Sequence, residues 1–299
     1  SLIASDKLDT NSYFFFFKHL IYVLIGISLI FIFSSLNSDQ LYKYSIFLFF
    51  ISLISLFLVP FVGVEVKGSK RWIDLFFLPR FQPIEVLKPF LIIILATIFC
   101  DIRSNILFKY LISIILISVI SLLLIAQPDI GQTLLVVFCW AALIFTSGIN
   151  IYILLAIFIA GASLLAYLII FVPKFDYIQG RIFSFFNRET GTHNFQSDKA
   201  IESITSGGFF GKGIGEGVLK NRVPEAHTDY IISVISEEFG VVAIMLILLL
   251  FLILIYMVFK KISFETNDKV KLILIGSISL ILMQATIHIG VNIRLFPTT

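Results

Sequence analysis

The chain has 299 residues, 59% of them hydrophobic, with a mean hydropathy of +1.03 and a formal net charge of +3. A soluble domain is nearer half apolar, so this composition excludes a soluble globular protein and points to an integral membrane protein. So small a net charge gives no ground for a nucleic-acid partner.

The first residues, SLIASDKLDTNSY, read as a polar loop with no cleavable signal pattern. A membrane-spanning helix needs roughly 20 mostly apolar residues. Runs near 15–34, 43–63, 84–100, 107–126, 131–147, 150–173, 230–259 and 270–290 meet or approach that length. They predict an all-α, polytopic transmembrane bundle of about eight spans, because the runs are continuous and lack β-barrel alternation. Cys100 and Cys139 both fall in apolar runs and read as small buried hydrophobes rather than a disulfide or metal pair.

Two connections carry most of the chemistry-capable residues. The first is 64–83, containing KGSKRW. The second is the long polar segment 174–228, whose glycine punctuation and lack of low-complexity runs predict an ordered, functional loop. Basic residues do not divide cleanly between alternate loops. The densest short cluster, KKISFETNDKVK, favours a cytoplasmic place for the 260–271 connection, which puts both chemical loops outside.

Asp229 stands where the second loop gives way to an apolar run. Thr228 and Asp229 have the chemistry of a helix cap. A carboxylate at a membrane boundary is also costly to desolvate and is a functional candidate for that reason. Glu237 follows Asp229 by eight positions, about two helical turns, a spacing that predicts one shared face for these two, and Glu237 and Glu238, two carboxylates within a span, should face protein or water rather than lipid. Glu85 and Lys88, three apart, suit a local ion pair. With Arg71 they also form a candidate anion site. Asp129, in Pro-Asp-x-Gly, reads as turn and cap chemistry. GGFFGKGIGEG fails the phosphate-loop pattern, because Ser206 and Gly213 occupy two required places, and it reads as a tight supporting loop. His19, His193, His227 and His288 show no metal spacing.

Four blocks, in order, resemble the SEDS family of shape, elongation, division and sporulation proteins. They are KGSKRWIDLFFLPRFQPIEVLKP, AQPDIGQTLL, FQSDKAIESITSGGFFGKGIGEG and NRVPEAHTDYIISVISEEFG. Ile84 stands where the family usually has Ser, and Tyr230 where it usually has Phe. Against the family's ten spans, the chain resembles a single SEDS-type transmembrane domain over 1–299 lacking one span at each end. KGSKRWIDL and LFPTT resemble the division branch more than the elongation branch.

The resemblance implies a peptidoglycan glycosyltransferase that polymerises lipid II, with undecaprenyl pyrophosphate as leaving group, in septal wall synthesis. Asp229 matches the family's essential aspartate. Arg71 matches the family's loop arginine and Lys88 its lysine near the mouth of the next span; with them Glu85, Lys212, His227 and Glu238 are the candidate substrate-binding residues. The resemblance further implies a divalent cation, magnesium or manganese, with no organic cofactor. The implied partners are a class B penicillin-binding protein and other division membrane proteins, in the bacterial cytoplasmic membrane at the septum. A lipid II flippase is the rival reading, since intramembrane charge also suits transport. It is weakened because no inverted repeat with paired broken helices is evident.

Overall fold

The structure, a computed structural model, describes residues 14–66, 68–74, 80–101, 105–186, 192–224, 226 and 228–296. Within them lie ten α-helices: α1 (Phe14–Ser34), α2 (Ser38–Val62), α3 (Pro83–Cys100), α4 (Ile106–Ala126), α5 (Ile130–Thr146), α6 (Ile151–Phe171), α7 (Asp176–Phe186), α8 (Thr192–Gly207), α9 (Ile231–Phe264) and α10 (Asp268–Asn292). Seven are long and apolar enough to cross a bilayer, and α5 is a shorter apolar helix of 17 residues. Every predicted run is therefore helical, and the chain is a multi-pass membrane protein.

Short polar residues start several spans. Asn105 Oδ1 accepts from Leu107 N at 3.2 Å, Asn150 Oδ1 from Tyr152 N at 2.9 Å, and Asp129 Oδ1 from Gln132 N at 3.4 Å. Each satisfies an N-terminal amide that no helical carbonyl can reach. Asp129 is thus the cap that its Pro-Asp-x-Gly setting predicts. Pro83 opens α3, where its missing N–H costs nothing.

The chain divides into two compact units. One comprises Asn37–Ala162, Ile255–Gln284 and residue 299. Its core is built on α3, the span with the largest buried share, 56% of its apolar window. Leu87, Leu91 and Leu95 of α3 pack with Leu56 of α2, Ile120 of α4, and Trp140 and Leu143 of α5. Gly276 lets α10 approach: a Cβ there would meet Ile92 Cγ2 at 2.7 Å. The 64–83 connection is more than a loop. Val64–Val66 (β1) and Ser69–Trp72 (β2) form an antiparallel hairpin, extended by a bridge between Ile73 and Phe81.

The other unit comprises Ser1–Leu36, Ser163–Leu254 and Ala285–Thr298. Its own apolar cluster joins Ala200 of α8, Val223, Ala226, Tyr230, Val234 of α9 and Val291 of α10. The predicted order of the long segment holds for its described residues, which include α7, α8 and a short 3-10 turn at Leu219–Arg222.

α9 departs from its prediction. The apolar run implies one unbroken span, but Gly240 sits inside it at φ 73° and ψ −171°. That conformation is open to glycine and strained for any other residue. Around the break, Lys212 N donates to Glu237 O (2.9 Å) and Gly213 N to Glu238 O (3.0 Å), while Val241 N donates to Gly208 O (3.1 Å) and Val242 N to Phe209 O (3.3 Å). The glycine-rich loop is spliced into the helix backbone. A Cβ on Gly240 would collide with Phe209 O and Gly211 N, whereas one on Gly161 of α6 would meet nothing within 4 Å. Gly240→Ala should therefore lower stability by at least about 2 kcal/mol. Gly161→Ala should be neutral or slightly stabilising, by up to about 1 kcal/mol. Thermal unfolding of the two variants in one detergent checks the contrast.

Candidate active site

Asp229 lies in the turn 228–230, ahead of α9 rather than on it. The helical count that placed Glu237 on one face with Asp229 therefore does not apply. Tyr230, its neighbour, is buried at 2% exposure in the cluster of Ala200, Val223 and Val291, and its hydroxyl lies 3.2 Å from Ser197 Oγ. Burial pushes the Tyr230 phenol above its usual value, with the nearby Asp229 charge adding to it. Tyr230 points in, and Asp229 is left exposed. Among the described residues the Asp229 carboxylate makes no hydrogen bond or ion pair.

Capping of α9 comes from elsewhere. Asn292, at the end of α10, accepts from Ser233 N through Oδ1 (3.3 Å). Its Nδ2 donates to Asp229 O and to His288 O, each at 2.8 Å. Asn292 is fully buried, so all three bonds form away from water, where an unmade bond costs about 1–3 kcal/mol. The sequence reading missed it. Its signal was a lone amide near the end of the apolar run ATIHIGVN, where an unpaired polar group is expensive.

Glu237 and Glu238 organise the glycine-rich loop. Glu237 is completely buried and accepts from Leu219 N (2.9 Å), Lys220 N (2.6 Å) and Ser203 Oγ (2.9 Å), with Lys212 Nζ at 3.6 Å. Glu238, a candidate for substrate binding, accepts from the Lys220 ammonium and from Gly215 N at 3.1 Å. Lys212 is 38% exposed beside its carboxylate.

The other unit gathers Arg71, Glu85 and Lys88 into one network. Arg71, on β2, donates to Gln127 O at 3.4 Å and to Pro128 O, and lies 3.8 Å from Asp129 Oδ1. Gln82 Nε2 donates to Asp129 Oδ2 at 2.8 Å. Burial pushes the Asp129 carboxyl above the usual carboxylate range, opposed first by Arg71. Gln132 continues the network, its Nε2 donating to Glu85 Oε1 at 2.7 Å. Lys88 is 3% exposed and pairs with Glu85 at 2.6 Å, as the three-residue spacing predicts. Its ammonium also reaches Gln132 (3.1 Å) and Gln284 (3.5 Å). His227 lies outside the described residues. Among the described residues no three His, Cys, Asp or Glu side chains gather as metal ligands. The described residues therefore form no metal cage made wholly of protein.

The model of the FtsW/RodA/SpoVE family, described as cell cycle protein, matches residues 1–299. The chain belongs to this family. It is the SEDS family that the four sequence blocks resemble. A probable peptidoglycan glycosyltransferase FtsW of Francisella salina is 33% identical over 99% of this chain and 75% of its own length. Its counterpart in Coxiella burnetii is 31% identical over 100% and 82%. Among solved structures, a chain from a peptidoglycan synthase complex aligns at TM-score 0.77 with 25% identity, over 95% of this chain and 80% of that one. The Rod shape determining protein RodA of Thermus thermophilus aligns at TM-score 0.67 with 23% identity, over 95% and 77%, and shows the family fold.

Because Glu237 answers two backbone amides and a serine, Glu237→Ala should cost about 3–5 kcal/mol, at about 1–3 kcal/mol for each of the donors it leaves unbonded. Glu237→Gln keeps one acceptor and should cost about 1–3 kcal/mol. Limited proteolysis within 211–222, alongside thermal unfolding, should rank the variants in that order.

Proposed function

We propose that this protein is a peptidoglycan glycosyltransferase that polymerises lipid II in the bacterial cytoplasmic membrane during septal wall synthesis. In that reaction the sugar 4-hydroxyl of lipid II attacks the anomeric carbon of a chain held on undecaprenyl pyrophosphate. The new glycosidic bond forms, the bond to the pyrophosphate breaks, and the hydroxyl proton must leave. A sugar hydroxyl is a poor nucleophile, and a carboxylate within hydrogen-bond reach raises its reactivity by about 10²–10⁴-fold.

The observation that carries this reading is Asp229. Its side chain is exposed and without a partner among the described residues, while its main chain is tied to buried Asn292 through the 2.8 Å bond. An unengaged carboxylate on an anchored backbone suits a general base.

Arg71 and Lys88 are the cations this reading assigns to the pyrophosphate, where fixed charge stabilises the leaving group as its charge grows. Each already faces a carboxylate, Asp129 and Glu85. That arrangement holds the cations in place before a doubly charged ligand arrives. Lys212 is a third candidate, and His227 a candidate for the proton network around Asp229. A divalent cation belongs to the substrate's side of this reading, since phosphate oxygens hold magnesium with several of its waters. The protein residues described form no cage for it, and no step here depends on it. A class B penicillin-binding protein is the proposed membrane partner, supported by the likeness to a chain of a peptidoglycan synthase complex.

Asp229→Asn keeps the size of the side chain and removes the base. The protein should fold, bind its partner and lose at least about 10²-fold in glycan polymerisation. Labelled lipid II, reconstituted protein with partner and products resolved on a gel provide the measurement. Near-normal polymer would overturn the role of Asp229, and lipid II translocation without polymer would favour a flippase. In the same assay, Lys88→Ala should weaken lipid II use. Exchanging the pair, with Glu85→Lys and Lys88→Glu together, should not restore it if Lys88 holds phosphate. Recovery on exchange would reduce Lys88 to a structural ion pair.

A further inference from the structure

The tip of the glycine-rich loop carries large apolar side chains that nothing in its unit covers. Phe209 is 65% exposed and Phe210 80%, and their rings meet edge-on at 5.2 Å. An exposed aromatic pair on a polar loop calls for a covering surface.

The backbone splice fixes the level of that pair along α9. Gly208 O and Phe209 O accept from Val241 N and Val242 N. Phe209 and Phe210 therefore stand beside the first residues after the helix break. From Phe239 to Phe259 the chain runs for 21 residues without a charge, preceded by Glu237 and Glu238 and followed by Lys260 and Lys261. At 1.5 Å per residue that run is about 31 Å long, the thickness of a bilayer's hydrocarbon core. Gly240 therefore lies at the outer edge of the hydrocarbon. Beyond it the exposed face of α9, with Val242, Met245, Leu246 and Leu249, is continuous lipid-facing surface.

We infer that Phe209 and Phe210 insert into the bilayer at the boundary between headgroups and hydrocarbon, so that the tip of the long extracytoplasmic segment lies in the membrane rather than above it. Aromatic side chains favour that depth. The pair extends the exposed apolar surface that α9 already presents, and the splice bonds much of the backbone that would enter with it: Gly208 O and Phe209 O accept from Val241 N and Val242 N, and Lys212 N and Gly213 N donate to Glu237 O and Glu238 O. The next charged residue along the loop, Lys212, lies 3.6 Å from the Glu237 carboxylate. The inference rests on the level of the break and holds whether or not the protein polymerises glycan.

Site-directed spin labelling tests it. The full chain, with Cys100→Ala and Cys139→Ala, takes a nitroxide at Phe210→Cys and, separately, at Asn221→Cys, an exposed residue of the same segment. Each is reconstituted alone in phosphatidylcholine–phosphatidylglycerol vesicles. Power saturation then compares collisions with oxygen, which concentrates in lipid, and with a nickel chelate, which stays in water. Oxygen should exceed chelate several-fold at position 210, with the reverse at 221. A chelate-dominated signal at 210 matching that at 221 would overturn the inference, and would mean that the pair faces water and is left for a protein partner to cover. If the labelled Phe210→Cys chain does not elute as a monodisperse species, Phe209→Cys reads the same depth and carries the same two outcomes.

Discussion

Backbone amides and carbonyls at membrane depth must be bonded by protein, because no water is there to bond them. Breaking α9 at Gly240 frees such groups at the edge of the hydrocarbon. The glycine-rich loop replaces the lost bonds, and much of its unit follows from that replacement. Gly211 permits the approach, since a Cβ there would strike the Glu238 carbonyl. Gly207 permits it from α8, where a Cβ would strike the backbone at Ser236 and Glu237. Glu237 then locks the far end of the loop by accepting from Leu219 and Lys220. Loop, α8 and the first turns of α9 become one rigid piece, and Asp229 sits at its margin.

The start of α9 is solved differently. Its amide at Ser233 is shared between Tyr230 O, at 3.1 Å, and the side chain of Asn292, which arrives from a different helix. Ordinarily the residues before a helix supply that cap. Moving the task to α10 relieves Asp229 of it, and the same amide grips the Asp229 carbonyl. The main chain is fixed while the carboxylate is spared. Had Asp229 capped its own helix, a lone pair would be committed to a backbone N–H.

What the sequence made legible was mainly one-dimensional. Runs of about 20 apolar residues identify spans without any knowledge of packing. The three-residue spacing predicted the Glu85–Lys88 pair, and Pro128-Asp129 predicted a turn and cap, because both are local. The hairpin is local too: VEVKGS combines strand alternation with a Lys-Gly turn. The break at Gly240 was not legible, because a glycine inside an apolar run is equally at home in an intact helix. Only the loop some thirty residues upstream decides it. Asn292 escaped for the same reason: its partners lie 59 and 63 positions away. Counting eight residues from Asp229 to Glu237 went astray because the count assumed a helix that had not yet begun.

The allocation of charge sets four paired carboxylates apart from Asp229, the proposed base. Asp129 faces Arg71, Glu85 faces Lys88, Glu237 faces Lys212, and Glu238 faces Lys220. A carboxylate already accepting from a cation can take a substrate proton only by surrendering that partner, which is costly where water is scarce. These four are thereby suited to holding structure and poorly suited to proton transfer. Asp229 meets the opposite condition, exposed and unpartnered among the described residues. Had the sequence paired Asp229 as well, its carboxylate would be held by a cation in the same way and would lose the freedom that a proposed base needs.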